Sequence, residues 1–287
     1  METLHPIISP SIWTTIASGK LPEEHGVVDF YATAADVRVP RLWEIAANAG
    51  LATGVLGYLV TWPPHEMPNL AFLVPGWLAS DSQTIPPSLS FLKTLELDAK
   101  SGKDLSLWDL SRSALSALRY GSSLHTFTLA AQLIASKRIW PRDERMQALL
   151  ARRLKLALSA DVFAHLLRTR RLHFAVFYNS SLDAVEHLFF KYYRPELWPE
   201  ISGDEIRRYG TAIPAMYAET DRALRVITQA MAPHATLLVV SDHGQQPARR
   251  NGRPWFSIQA SKLLDLLGVT GLVRATNVGD ALRLSSR

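Results

Sequence analysis

The chain has 287 residues, of which 47% are hydrophobic and 20% are charged. These values predict a packed globular core and exclude an intrinsically disordered chain. The net charge is +5, and basic residues cluster at 152–155, 168–171 and 249–253. Such clusters fit either an anionic substrate or a solvated face. Aromatic residues do not alternate with the basic ones, so we expect no nucleic-acid partner.

The sequence contains no cysteine. Disulfides and thiolate metal sites are therefore excluded, and any metal ion must be bound by His, Asp or Glu. The N-terminus lacks the basic start and apolar stretch of a signal peptide. Glycines, Asn48 and two prolines interrupt the uncharged run at 45–64, which argues against a membrane span. We expect a soluble, cytoplasmic protein without a membrane segment.

The first third of the sequence predicts short elements separated by glycine and proline. Residues 10–18 form a predicted helix that stops at Gly19, and "GVVDFY" (26–31) is a possible short strand. "PRLWEIAANAG" predicts a helix that ends at Gly50. "TGVLGYLVTWPP" then predicts a strand that runs into a proline turn.

The remainder alternates between helices and buried strands. Apolar residues recur every three to four positions over about 98–170, which predicts several helices. A strand, "LHFAVFY" (172–178), and a helix, "LDAVEHLFFKYY", follow. Residues 203–232 form a helical stretch that is bent or interrupted at Pro214, and 237–241 form a last buried strand.

Strands separated by helices predict an α/β fold, with a mostly parallel sheet that carries helices on both faces. We expect a single domain over 1–287, in which the helices of 98–170 form an insertion or cap. No internal repeat or low-complexity segment is visible in the sequence.

Two of the predicted strands are followed by a carboxylate and an imidazole. Asp183 and His187 lie four residues apart on a predicted helix, so their side chains share one face. Asp242 and His243 follow the last strand directly. Because strand ends of a parallel sheet share one rim, the two pairs together predict a site for two divalent cations. The alternatives are a helix N-cap for Asp183 and an ordinary loop at "SDHG".

Ser9 precedes Pro10, which predicts an N-cap serine with proline at the first helical position. Free backbone N–H groups at such a helix start favour an anion. A serine hydroxyl there could act as a nucleophile and as a ligand of a cation that lowers its pKa. The alternative is an N-cap serine without a chemical role.

These stretches together resemble one family. The segments "SPSIWTTIASGKLPEEHG", "WPP" (62–64), "DAVEH" (183–187) and "SDHG" (241–244) occur in the order typical of the alkaline phosphatase superfamily. The similarity is greatest to its type I phosphodiesterase/nucleotide pyrophosphatase branch, and it extends from residue 9 to about 247. The resemblance implies a hydrolase of phosphodiesters or phosphomonoesters that acts on a small phosphate ester.

The resemblance also implies a role for each candidate residue. Ser9 stands where the family has a Ser or Thr nucleophile that becomes transiently phosphorylated. Asp183 and His187 match two ligands of the metal that activates the attacking water. Asp242 and His243 match two ligands of the metal that holds the nucleophile's oxygen. The implied cofactors are two divalent cations, zinc in the first place and manganese in the second.

Two ligands of the family pattern have no counterpart in the sequence. The family has an Asp at the end of a first strand before the nucleophile, whereas only eight residues precede Ser9. It also has a third His beyond "SDHG", whereas no histidine follows His243. The sequence thus resembles a member without its first strand and C-terminal end. The alternative function is that of a non-catalytic or truncated relative, which binds a ligand or has no function. Sulfate-ester and phosphomutase chemistry also remain open, as does the oligomeric state.

For substrate selection, we expect the helices of 98–170 to overhang the site. His125 and the basic residues near Arg249 are the candidate contacts to the leaving group.

Overall fold

The computed structural model describes residues 8–101 and 107–245, which fall within one compact unit. The helices and strands in chain order are α1 (Ser9–Ser18), α2 (Pro22–His25), α3 (Leu42–Asn48), β1 (Thr53–Leu56), β2 (Leu70–Val74), α4 (Ser90–Ser101), α5 (Leu107–Arg119), α6 (Leu124–Ile139), α7 (Glu144–Thr169), β3 (Phe174–Phe177), α8 (Ser181–Tyr193), α9 (Gly203–Tyr209) and α10 (Ala212–Thr228). None of the helices in these ranges is long and apolar enough to cross a bilayer.

The three strands form one parallel sheet in the order β2-β1-β3. Thr53 of the central strand is aligned with Phe174, and Leu56 is aligned with Phe177. Successive side chains of a strand point to opposite faces, and β1 follows this rule. Leu56 belongs to one hydrophobic core and Val55 to the other. Both faces of the sheet are therefore buried, as the predicted α/β fold requires.

The two cores are built by different helices. On the Leu56 face, Phe72 of β2 packs with Phe163 of α7 and Phe189 of α8. On the Val55 face, Trp13 of α1 and Trp43 of α3 pack against the residues that follow β1. The predicted fold class is confirmed: helices cover a parallel sheet on both faces.

The helices on the Val55 face end as the sequence predicts. Gly19 follows α1 with φ 68°, and Gly50 lies just beyond α3 with φ 84°. Both are left-handed conformations that favour glycine.

The predicted strand at 26–31 is wrong. The Asp29 carboxylate accepts hydrogen bonds from the N–H groups of Tyr31 and Ala32, which folds this segment into a turn.

Several boundaries differ from the prediction. β2 was not predicted, because its five apolar residues stand between proline-rich loops. The helical region begins at Ser90, earlier than expected. The interpretation of 98–170 as an insertion or cap stays a prediction. A single domain over 1–287 stays a prediction as well. Pro214 lies in the first turn of α10, and the helical stretch breaks just before it, at Gly210 and Thr211. The first turn tolerates proline because its N–H groups lack helical partners.

The prediction of a buried strand at 237–241 is wrong. Residues 237–240 are not paired with any strand of the described chain, and their side chains are 44% to 82% exposed. Their apolar composition predicts burial, but a strand also needs a hydrogen-bonded neighbour. β3 pairs with β1 on one side only within the described residues.

The loops after β1 and β2 pack tightly against each other at the carboxyl end of the sheet. A Cβ atom on Gly76 would lie 2.5 Å from the Tyr58 carbonyl oxygen and 2.9 Å from that of Gly57. Only glycine allows this approach between two backbones. The close contact holds the first residues after β1 and β2 in fixed positions, next to the end of β3.

A buried histidine ties α1 to α2. His25 is completely buried, and its Nδ1 accepts the N–H of Val27 at 3.1 Å. Nε2 therefore carries the proton and donates to Thr15 Oγ1 at 3.0 Å. Burial lowers the pKa of His25, so the imidazole is held neutral. The histidine of "LPEEHG" thus has a structural role in fixing the orientation of α1.

We predict that Gly76→Ala lowers the free energy of unfolding by about 1–3 kcal/mol, because the new methyl group meets backbone atoms that cannot rotate away. Urea denaturation measures the change. Gly203→Ala is the matched control, since its Cβ would meet only the Arg207 side chain at 3.5 Å. Equal effects of the two substitutions would contradict the close approach at Gly76.

We predict a second effect, on the pH dependence of stability. The folded-state pKa of His25 is lowered, so its contribution is complete above the unfolded-state pKa of about 6.5 and is lost as the pH falls toward the folded value. Denaturation at about pH 7.5 and about pH 5.5 should give a smaller loss in His25→Gln than in the wild type. Substitution of the exposed His234 by Gln should leave the wild-type loss unchanged. The same loss in all three proteins would show that His25 does not titrate as described.

Candidate active site

Ser9, the predicted nucleophile, lies at the start of α1. The residue in the N-cap position is Ile8, with φ −129°, so Ser9 is the first helical residue and Pro10 the second. The prediction that Ser9 itself is the N-cap is therefore wrong by one position. The first turn of α1 still leaves backbone N–H groups without helical partners, beside the Ser9 hydroxyl. This position suits a group that must meet an anion.

Aromatic contacts hold α1 against the carboxyl end of the sheet. The Tyr58 hydroxyl donates to the Trp13 carbonyl oxygen at 2.7 Å. The Trp13 ring packs edge-on against Tyr178, at 5.0 Å between centroids, and against Tyr58 at 5.7 Å. Tyr58 follows β1 and Tyr178 follows β3, so α1 spans both strand ends. No hydrogen bond or ion pair within the described residues joins Ser9 to the other four predicted site residues.

The first predicted metal-binding pair lies at the N-terminal end of α8. His187 Nε2 is 3.2 Å from Asp183 Oδ1, one helical turn away. This carboxylate oxygen is buried, yet it accepts no hydrogen bond of good geometry from the described part of the chain. A buried acceptor without a donor is costly unless a cation or another donor satisfies it.

The second predicted pair lies just beyond the exposed run at 237–240. His243 Nε2 is 3.4 Å from Asp242 Oδ2, and the Asp242 side chain is only 11% exposed. Ser241 Oγ donates to the His243 carbonyl oxygen at 2.7 Å, which fixes the turn. The chain therefore passes from exposed apolar residues directly into a largely buried carboxylate.

The two pairs share one electrostatic environment. Burial raises the pKa of Asp242, His243 opposes the rise, and the charge of Asp183 adds to it. Burial also raises the pKa of Tyr178, and the charges of Asp242 and Asp183 both add to that increase. Since such effects decay with distance, the Tyr178 hydroxyl is influenced by both carboxylates at once.

Two further residues of this environment were missed by the sequence analysis. Burial and the charge of Asp183 raise the pKa of Glu186, while its hydrogen bond from Tyr217, at 3.0 Å, and the charges of His187 and His243 oppose the rise. Glu186 stands three residues after Asp183, and this spacing alone could have placed it on the same helix face. Tyr178 ends a predicted strand, where ligand-binding residues are common.

The carboxylate and imidazole groups of both pairs are of the types that bind divalent cations, although each pair supplies only two ligands. No three His, Asp or Glu side chains lie close enough to hold a metal ion in residues 8–101 and 107–245. Carboxylate oxygen and imidazole nitrogen are ligands of zinc, and carboxylate oxygen is also a ligand of manganese. The buried, unsatisfied Asp183 Oδ1 is the atom that most clearly fits such an ion.

His125, one of the residues expected to contact the leaving group, binds a carboxylate of α10. His125 Nε2 contacts the Glu219 carboxylate at 2.8 and 3.1 Å, so it links α6 to α10. Arg153 donates to the same carboxylate at 3.2 Å. Arg249 lies outside the described residues. A role of His125 or Arg249 in substrate selection stays a prediction.

Comparisons with known proteins identify the family. The family model for type I phosphodiesterase / nucleotide pyrophosphatase matches residues 1–266. A search of curated proteins found no match, and a search of solved structures found none either. The family match includes every candidate residue named above, from Ser9 to His243. The chain therefore belongs to the type I phosphodiesterase/nucleotide pyrophosphatase family of phosphoric ester hydrolases.

Proposed function

We propose that the protein is a metal-dependent hydrolase of small phosphate esters that forms a phosphorylated Ser9 intermediate. The observation that carries the proposal is that the charges of both Asp183 and Asp242 act on Tyr178, at the end of the sheet against which α1 packs. Family membership supports hydrolysis of a phosphoric ester.

Asp183 with His187 would hold one divalent cation, and Asp242 with His243 would hold the other. When bound, two such ions lower the pKa of a hydroxyl or water ligand and offset charge on phosphoryl oxygens. We propose zinc, with manganese as the alternative. Burial raises the pKa of Asp242 and the charge of Asp183 adds to the rise; a nearby cation would oppose both effects, which supports this assignment.

The Ser9 oxygen would attack phosphorus, and the bond between phosphorus and the ester oxygen would break as the alcohol leaves. A water molecule would then attack the phosphoserine and release the phosphate product, which restores the hydroxyl. The N–H groups in the first turn of α1 would donate to the phosphoryl oxygens throughout. The aromatic contacts of Trp13 with Tyr58 and Tyr178 would keep α1 at the strand ends during both steps.

A second candidate function is binding without turnover. It is supported by the number of donors, since the described residues offer each cation one carboxylate and one imidazole. The two candidates differ in one measurable respect: both bind a cation and a phosphate ester, but only the hydrolase releases an alcohol.

We predict that the wild-type chain binds zinc and manganese and that Asp183→Asn weakens this binding about 10 to 100-fold or more, since even the loss of an outer-shell partner has that effect. Isothermal titration calorimetry measures both affinities. Asp221→Asn is the matched control, because that exposed carboxylate lies on the surface of α10. Unchanged affinity in Asp183→Asn would rule out a metal at this pair.

For catalysis, we predict that Ser9→Ala lowers the hydrolysis of bis(4-nitrophenyl) phosphate by orders of magnitude, because no phosphoserine can form. Release of 4-nitrophenol is followed in the presence of excess zinc or manganese. Ser18→Ala, at the other end of α1, should retain the wild-type rate. A rate unchanged in Ser9→Ala would exclude Ser9 as the nucleophile. Metal binding without release of 4-nitrophenol by the wild type would favour the second candidate.

A further inference from the structure

Three lysines surround one glutamate at the carboxyl end of the sheet, where the candidate active site also lies. Glu96 of α4 contacts Lys93 Nζ at 2.8 Å, Lys155 Nζ at 3.1 Å and Lys100 Nζ at 3.4 Å. Glu96 thus forms an ion pair with each of the three ammonium groups. Three ammonium groups therefore share one carboxylate. We call these four residues the lysine cluster.

The lysine cluster contacts the loops that follow two of the strands. Lys93 donates to the Gly76 carbonyl oxygen at 2.8 Å, and Lys100 donates to the Trp77 carbonyl oxygen. Both acceptors follow β2. Lys155 of α7 donates to Ser180 Oγ at 3.1 Å, three residues before Asp183. The cluster therefore adjoins the start of α8, which carries the first metal-binding pair.

The exposure of the three lysines increases outward. The Lys93 side chain is 1% exposed, that of Lys155 is 28% exposed and that of Lys100 is 42% exposed. Lys155 and Lys100 also contact the same atom, Glu96 Oε1, so their ammonium groups are within reach of one small anion. Lys93 is enclosed and serves to fix Glu96 and Gly76. The accessible part of the cluster is the Lys155–Lys100 pair.

The charge balance of the cluster favours an additional anion. Burial would raise the pKa of Glu96, but the ammonium groups of Lys155, Lys93 and Lys100 outweigh it and lower the pKa to about 2. Burial lowers the pKa of Lys93 to about 8 despite Glu96, and Lys155 and Lys100 add to the decrease. Burial also lowers the pKa of Lys155, against the opposing effect of Glu96, and the nearby Arg152 adds to the decrease. A second anion beside Lys155 would oppose these decreases.

We propose that Lys155 and Lys100 bind an anionic group, a carboxylate or a phosphate, on the leaving group of the substrate. This inference rests on the proposed function, since it assigns the cluster to the same reaction. Ser9 and the two metal-binding pairs deal with the reacting phosphoryl group, which every phosphate ester has. The lysine pair distinguishes esters by what is attached to that group. The preferred substrates are therefore esters whose alcohol carries a second negative charge.

The test compares two aryl diesters of similar size, of which one carries that charge: methyl 4-carboxyphenyl phosphate and methyl 4-carbamoylphenyl phosphate. The aryl group leaves in both, because methanol is the poorer leaving group. We expect wild-type kcat/KM to favour the carboxylate by about tenfold or more, and Lys155→Met to bring the ratio to about one. Lys155→Arg should retain most of the preference. Lys137→Met, an exposed lysine of α6, should retain all of it.

The ratio separates charge recognition from a purely structural role of Lys155. A partly misfolded variant hydrolyses both diesters less and keeps the ratio, because the same active molecules act on both. Lys155→Met leaves Glu96 paired with Lys93 and Lys100, so no carboxylate is stranded. A wild-type ratio of about one, or an unchanged ratio in Lys155→Met, would overturn the proposal.

A binding measurement keeps the inference independent of catalysis. If the wild type hydrolyses neither diester, the proposed function fails, and calorimetry with inorganic pyrophosphate and the metal-free chain then decides whether the anion site exists. Binding that weakens about tenfold in Lys155→Met but not in Lys137→Met would support the site. Absent binding, or equal binding by both variants, would overturn it.

Discussion

The parallel pairing of β1 with both β2 and β3 is the constraint on which the other features of the molecule depend. Because the three strands run in one direction, the chain leaves each of them at the same edge. Tyr58 follows β1, Trp77 follows β2 and Tyr178 follows β3, and these aromatic residues lie around the edge. Gly76 allows the first two loops to touch. The candidate active site lies where these strand ends meet.

Charges of opposite sign collect on this edge. Burial and the charge of Asp183 raise the pKa of Asp242 and of Glu186, so a nearby cation is favoured at these carboxylates. The positive charges of the lysine cluster favour a nearby anion. Trp77 contacts both groups of charges. Its carbonyl oxygen accepts a hydrogen bond from Lys100, and its indole opposes the rise in the pKa of Tyr178. A phosphate ester with a second anionic group, bound together with divalent cations, would place cations beside the carboxylates and an anion beside the lysines.

Local sequence signals predicted the elements with clear periodicity or punctuation. Gly19 and Gly50 mark helix ends through their left-handed conformation, and "LDAVEHLFFKYY" forms a helix that puts Asp183 and His187 on one face. Amino-acid composition did not predict the structure correctly where pairing with a distant part of the chain determines whether a strand forms. The run at 237–240 is as apolar as a buried strand, yet no neighbouring strand of the described chain pairs with it. The lysine cluster is also invisible in the sequence, since its members are brought together from α4 and α7.

The most direct test of the central claim, that Asp183 with His187 and Asp242 with His243 form one two-cation site, is a crystal structure with zinc. Anomalous diffraction at the zinc absorption edge locates each ion without reference to any assumed ligand. We expect two neighbouring peaks, one in contact with Asp183 and His187 and the other with Asp242 and His243. Zinc bound elsewhere with neither pair in contact, or the two pairs on opposite sides of the sheet, would contradict the account.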